Sequence, residues 1–402
     1  MSNHNPPKQA PETGKIWNPV FLSLFLANAA MYISQFMSSS LIGKYVSSLG
    51  AAPSVVGTVS SAFAITALLL KFVSAPAIDS LNRKWILMAA MATLMTAYTG
   101  YAVSGSVPLV FSFRLLQGAA QAFSATCCLA LAADALPEGV LGQGIGIFSL
   151  AQAISQAIGP TIGLAVAERF GFRMAFASSA VMMLIGICIA SRIRVPYTPG
   201  KKFRISLRNM VARQALLPAT IMFLLQLVYA NVTAFLVIYG TGVGIAQSQV
   251  GLYFTVYAVT MFFTRPLIGK LTDRFGHAFV MLPSLLCFAA SFWLISCTKD
   301  LPMLLIAAIV AAFGYGASVP AVQSLCMKLV PKARRGAGSC TNYIGSDLGN
   351  LAGPMIAGHI VETVGYTAMW RWMTLPVFLA ALLVFLFRSV INRRPSDKEA
   401  EK

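Results

Sequence analysis

Apolar stretches of about 20 residues or more recur along almost the whole chain, separated by short polar turns. None shows the ten-residue alternation of apolar and polar positions that a membrane barrel strand carries. Hydrocarbon offers no partner to backbone N–H and C=O groups, so each stretch is predicted to be a helix. Twelve are placed, near 17–43, 54–78, 84–104, 108–136, 141–167, 173–191, 215–240, 247–271, 278–297, 301–328, 335–361 and 369–388. The longest polar interruption, 192–214, holds Pro196, Pro199, Gly200 and seven basic residues and reads as a linker. The predicted organisation is a tail at 1–15, a six-helix bundle at 16–191, the linker at 192–214, a second bundle at 215–388 and a tail at 389–402.

The two bundles are copies. A shift of 194 residues carries Asp79 onto Asp273, Lys71 onto Arg265, Pro137 onto Pro331, Gly159-Pro160 onto Gly353-Pro354, Glu168 onto Glu362 and Gly171 onto Gly365. One offset accounts for all of these pairs, which marks a duplicated membrane unit.

Composition agrees: 57% of the 402 residues are hydrophobic, 10% are charged, and mean hydropathy is +0.74. That excludes an ordinary water-soluble domain. A net charge of +18 would suggest nucleic acid in a soluble protein, but its placement says otherwise. With the N-terminus on the cytoplasmic side, 22 of the 30 Lys and Arg fall inside and five outside. The positive-inside rule therefore predicts both termini in the cytoplasm of a multi-pass inner-membrane protein. The first fifteen residues carry three prolines and no apolar core, so they read as a polar tail and not as a cleaved signal. Seven cysteines without CxxC spacing indicate neither a disulfide framework nor a metal site.

Residues 269–277, GKLTDRFGH, fit the loop pattern G-x-x-x-D-R-x-G-[RK] up to its last position, His277. A weaker copy at 75–84, APAIDSLNRK, keeps Asp79 and the basic end, Arg83 and Lys84, but has lost both glycines and the first arginine. On these motifs the chain resembles the major facilitator superfamily, over everything between its tails. The resemblance implies twelve helices in two pseudo-symmetric bundles, and a gating role for Asp79, Arg83, Asp273, Arg274 and Gly276. Arg114-Leu-Leu-Gln117-Gly118 fits the family's R-x-x-x-G, whose arginine is associated in relatives with proton coupling. Gly146, Ser155 and Gly159-Pro160-Thr-Ile-Gly163 match the antiporter spacing G-x8-G-x3-G-P-x2-G, with Ser155 in place of the second glycine. Small residues at this spacing line one helix face and Pro removes a donor, so the helix packs closely and bends. Gly159, Pro160, Gly353 and Pro354 are taken as gating positions on that basis. The motif is similar to that of proton-driven exporters in the drug:proton antiporter branch.

Of twelve acids only Asp347 lies deep, about 18 Å above the cytoplasmic end of the eleventh predicted helix. An acid there is expensive unless it faces a cavity or a cation, so it marks a functional site by default. Lys71 sits roughly 12 Å up the second predicted helix. In the family fold these two helices face each other across the bundles, so Lys71 and Asp347 are predicted to meet and Asp347 to carry the proton. Arg265 is the repeat equivalent of Lys71, but the equivalent of Asp347 is Ala153. Two readings of Arg265 stand: recognition of an anionic group on a substrate, or a structural role. Further cavity candidates are Tyr32, Gln35, Gln226, Tyr229, Asn231, Tyr257, Asn342 and Tyr343, each of which also suits an interhelical hydrogen bond.

The resulting expectation is a secondary transporter, a proton-coupled antiporter exporting an anionic, zwitterionic or amphipathic small molecule by alternating access. Import of an organic anion by proton symport or uniport is the alternative, and a transport-inactive receptor or scaffold ranks below both. No nucleotide loop, metal spacing or nucleophile with a neighbouring base points to an enzyme. The expected partners are substrate, protons and the lipid bilayer, with a monomeric chain, no cofactor, no metal and no nucleic acid.

Overall fold

A computed structural model describes residues 17–136, 141–193, 212–331 and 335–392; the side chains of Asp79 and Asp273 are among those outside the description. The described residues are helical, with short turns and no strand. The helices are α1 (Pro19–Ser48), α2 (Pro53–Ser80), α3 (Arg83–Val103), α4 (Val107–Asp134), α5 (Leu141–Ser191), α6 (Leu216–Gly242), α7 (Gln247–Phe275), α8 (His277–Cys297), α9 (Leu301–Leu329), α10 (Arg335–Trp372), α11 (Thr374–Leu386) and α12 (Arg388–Asn392). Starts are set by local chemistry. Asn18 and Asp300 accept from the backbone N–H groups of Phe21 and Met303, and prolines occupy the first turns of α1, α2, α4 and α9.

Two of the predicted breaks, at 168–172 and 362–368, are kinks rather than open loops. α5 and α10 each run through the position where a turn was expected, interrupted by one residue: Gly171 (φ 84°, ψ 166°) and Gly365 (φ 83°, ψ 170°). Only glycine adopts that backbone region readily, and the two glycines are repeat equivalents. Nine helical stretches among the described residues are long and apolar enough to cross a membrane. The two broken ones, of 45 and 50 residues, are each long enough for two crossings. α7 is 29 residues long but more polar than the rest.

The 194-residue shift also relates the packing. α1 lies on α5 as α6 lies on α10, α2 on α4 as α7 on α9, and α3 on α4 as α8 on α9. Between the halves, α2 meets α10 and α5 meets α7. The turn joining α2 to α3 shows how the weaker loop copy manages without glycine. Asn82, the equivalent of Gly276, keeps φ at −67° and caps α3 by accepting from the Lys84 N–H, whereas Gly276 turns at φ 90°.

Candidate functional site: a chamber that opens toward the linker

Ser80, Ser191, Arg213, Phe275 and Leu329 lie at one end of the bundles, where the linker attaches; Ser48, Pro53 and Gln247 lie at the other. The two halves are joined mainly at the far end. Ser248 donates its N–H to a Glu168 carboxylate oxygen at 2.6 Å, and Lys44 donates to the Thr241 hydroxyl at 2.7 Å. One level deeper, the Thr161 hydroxyl donates to the Gly251 carbonyl at 2.9 Å, and Thr255 donates to the Ala157 carbonyl at 2.7 Å. Across the other seam Gly57 lies so close to the Pro354 carbonyl that a Cβ would collide with it. Further toward the linker the same helix faces are bare: Ile154 and Leu150 on α5, and Phe262 and Arg265 on α7, are exposed. The cleft between the halves is therefore closed at the far end and open at the linker end.

Among the described residues the innermost polar link between the halves is the ion pair of Lys71 on α2 and Asp347 on α10. Its side chains keep 26% and 16% of their exposure, so water in the cleft reaches both. Lys71 also stands 5.0 Å above the ring of Tyr343, one turn before Asp347 on α10, and Tyr343 is exposed to the cleft. The sequence predicted that Lys71 and Asp347 meet, and the fold adds Tyr343 to them.

Arg265 has no such acid. It is exposed, makes no hydrogen bond or ion pair among the described residues, and lies near Tyr257 and Tyr315. Those tyrosines belong to an aromatic block: the rings of Tyr229 and Tyr315 stack with centroids 3.9 Å apart, and Tyr257 lies 5.7 Å from Tyr229. Tyr315 donates to Gln226, Gln226 donates to Asn350 at 2.8 Å, and Gln156 of the other half donates to the Tyr229 hydroxyl at 3.3 Å. Tyr315, Asn350 and Gln156 were not among the cavity candidates. A tyrosine between Gly314 and Gly316 has the appearance of packing, and only the fold shows its ring stacked on Tyr229.

Other candidates separate by position. Tyr32 and Gln35 are half-buried on α1, with Tyr32 stacked on Phe36. Asn342 is buried beside Tyr343 and lines a cavity of about 430 Å³ between α9 and α10. Asn231 is fully buried and donates to Leu227 and Val228 of its own helix, so in this state it lines no cavity. A carboxamide on an apolar helix folds back this way when no partner on a neighbouring helix is in reach.

Arg114 is buried and within hydrogen-bond reach of no acid among the described residues. Its guanidinium donates to the Val59 and Ser60 carbonyls of α2 and, at 2.9 Å, to Gln117, and lies 4.6 Å over the Phe63 ring. Gly118, one turn on, meets the Phe63 carbonyl at a distance that no Cβ permits. The R-x-x-x-G pattern is thus one face of α4 clasped to α2, with the arginine satisfying carbonyls that approach too closely for water. The antiporter spacing has a similar outcome. Ser155 donates to the Ala29 carbonyl, and Gly159 and Gly163 press on α1 near Ile33 and Met37, so the motif seats α5 on α1. In the second half Gly345, Gly349 and Gly353 seat α10 on α6 through Ala219, Phe223 and Leu227. Of the loop residues, Arg83 pairs with Asp134 of α4, and Arg274 lies 5.2 Å over the Phe275 ring. The side chains of Asp79 and Asp273 lie outside the described residues.

Two duplicated helical bundles sealed at one end of a membrane-spanning cleft, with charges on its walls, define a membrane transporter. The chain belongs to the Major Facilitator Superfamily, whose family model matches residues 24–218 and 218–402. A multi-drug resistance efflux pump PmrA homolog of Lactococcus lactis is 24% identical over 330 residues, covering 79% of this chain and 81% of its own. The chloramphenicol resistance protein of Streptomyces lividans is 24% identical over 399 residues, covering 94% of this chain and 98% of its own. Among solved structures, a bacterial homolog of the human lysosomal transporter Spinster, in an inward-facing and occupied conformation, superposes with a TM-score of 0.77 at 17% identity, covering 94% and 98% of the two chains. That likeness is one of fold alone.

Proposed function

We propose that this transporter is a proton-coupled antiporter of the inner membrane that exports small organic compounds by alternating access. The observation that carries the reading is the Lys71–Asp347 pair, formed across the halves at the inner limit of the seal and reached by water from the cleft. With the linker on the cytoplasmic side, this is the state after Asp347 has released its proton inward. In the arrangement open at the far end, protonation from that side would neutralise the carboxylate, and the return to the linker-open state would release that proton inward and re-form the pair with Lys71. A pair of this exposure is worth about 1 to 3 kcal/mol, between exposed and fully buried pairs, enough to move a two-state equilibrium roughly five- to 150-fold. Arg114 takes part as a positioning residue, holding α2 and therefore Lys71 against α4.

The exported class is anionic, zwitterionic or amphipathic. Arg265 is an uncompensated cation on the wall of the open cleft, beside the aromatic block of Tyr229, Tyr257 and Tyr315. That cation also fits the second reading, import of an organic anion. Chloramphenicol, after which one relative is named, is a first compound to try. Everted vesicles separate the readings: an exporter accumulates labelled compound when the lumen is acidic and stops when the gradient is collapsed. Accumulation only in right-side-out vesicles with acid outside would establish import instead.

A further inference from the structure

At the far end of the α5–α7 seam, the first turn of α7 lacks a cap from its own half. Its N-cap residue is Ala246, whose side chain accepts nothing, so the N–H groups of the first turn need acceptors from elsewhere. Glu168 supplies one from the other half. Its carboxylate takes the Ser248 N–H at 2.6 Å. A carboxylate at a helix N-terminus adds a favourable interaction with the helix dipole to the hydrogen bond itself. This contact joins the halves at the rim of the seal. The contacts of Gln247 with the Leu164 carbonyl at 3.4 Å and of Thr161 with Gly251 lie behind it.

The repeat provides an internal control. The shift that carries Ser54 onto Ser248 carries Glu168 onto Glu362, and Ala52 caps α2 as poorly as Ala246 caps α7. Yet Glu362 makes no hydrogen bond or ion pair among the described residues; there Gly358 packs directly against the Pro53 carbonyl. One seam is closed at its rim by backbone contact alone, the other by a carboxylate lent across the halves.

We propose that Glu168 is a gate residue of the transport cycle: by capping α7 from the opposite half it holds the far end shut, and the cycle must break that bond to open there. The inference stands on the geometry of the seam and does not depend on the coupling ion or the substrate. Hydrogen exchange of the full chain in lipid nanodiscs tests it without a ligand. Glu168→Ala is expected to raise exchange about two- to fivefold on both sides of the seam, at residues 157–166 of α5 and 247–255 of α7, as suits the loss of a helix-terminal carboxylate contact. Glu168→Gln keeps an acceptor and should fall between. Glu362→Ala should leave both peptides unchanged. Combining Glu168→Ala with Ala246→Ser gives α7 a cap of its own, which should restore protection of its first turn but leave α5 exposed. The proposal is overturned if exchange rises only in the first turn of α7, if Ala246→Ser rescues both sides, or if no peptide changes in either Glu168 variant.

Discussion

The α2–α10 and α5–α7 seams are the same interface built twice, and they are fastened at opposite depths. Gly57 lies against the carbonyl of Pro354 and its equivalent Gly251 against Thr161, so the close approach of backbones is common to both. The charges are not. On the α2–α10 seam Lys71 meets Asp347 at the cleft, and Glu362 at the rim is unbonded among the described residues. On the α5–α7 seam Ala153 stands at the position equivalent to Asp347, Arg265 pairs with no acid among the described residues, and Glu168 at the rim bonds Ser248. Duplication thus supplies a symmetric frame, and a few departures from symmetry decide what each side does. The first seam carries the titratable pair; the second leaves a cation facing the cleft.

The largest effect expected from breaking that difference comes from Lys71. Lys71→Ala leaves Asp347 partly buried and unpaired, at a cost of about 2 to 4 kcal/mol toward the loss measured for buried pairs. It should lower proton-driven transport in vesicles by more than tenfold, and exchanging the charges, Lys71→Asp with Asp347→Lys, should recover part of it. Next comes the frame itself. Gly118→Val sets side-chain atoms against the Phe63 carbonyl, and overpacking of this kind costs about 1 to 3 kcal/mol, so thermal unfolding in detergent should shift down by several degrees. Ala153→Asp would install the missing acid opposite Arg265. If the seams differ as described, transport of an anionic compound should fall several-fold while that of a neutral one is kept. Arg265→Gln should give the same selectivity with a smaller effect, about two- to threefold in apparent affinity for the anion, the low end of what one hydrogen bond is worth in a wet site.

Much of this was legible in the residues. Ionisable groups are so costly in apolar helices that Lys71, Arg114, Arg265 and Asp347 stood out, and the repeat showed which of them lacked a counterpart. The helical class followed from the apolar stretches alone. Direction of a side chain did not, because a helix of apolar residues has no amphipathic phase by which to say where Asn231 points, and it points back at its own helix. The breaks expected near Gly171 and Gly365 are there, but each is compressed to one glycine in a backbone region closed to other residues, a tightness the polar residues around it did not announce. Bonds to backbone leave no trace in a residue pattern, which is why Glu168 looked like an ordinary acid at the membrane surface and why the α2 carbonyls that Arg114 bonds were not foreseen.

Proton movement, as proposed, is coupled to the state of the cleft through the Lys71–Asp347 pair. Asp347→Asn keeps the size of the side chain and removes its proton, so substrate movement across proteoliposomes should become independent of an imposed pH gradient while exchange of substrate down its own gradient persists. Transport by Asp347→Asn that still follows the pH gradient with the wild-type dependence would contradict the account.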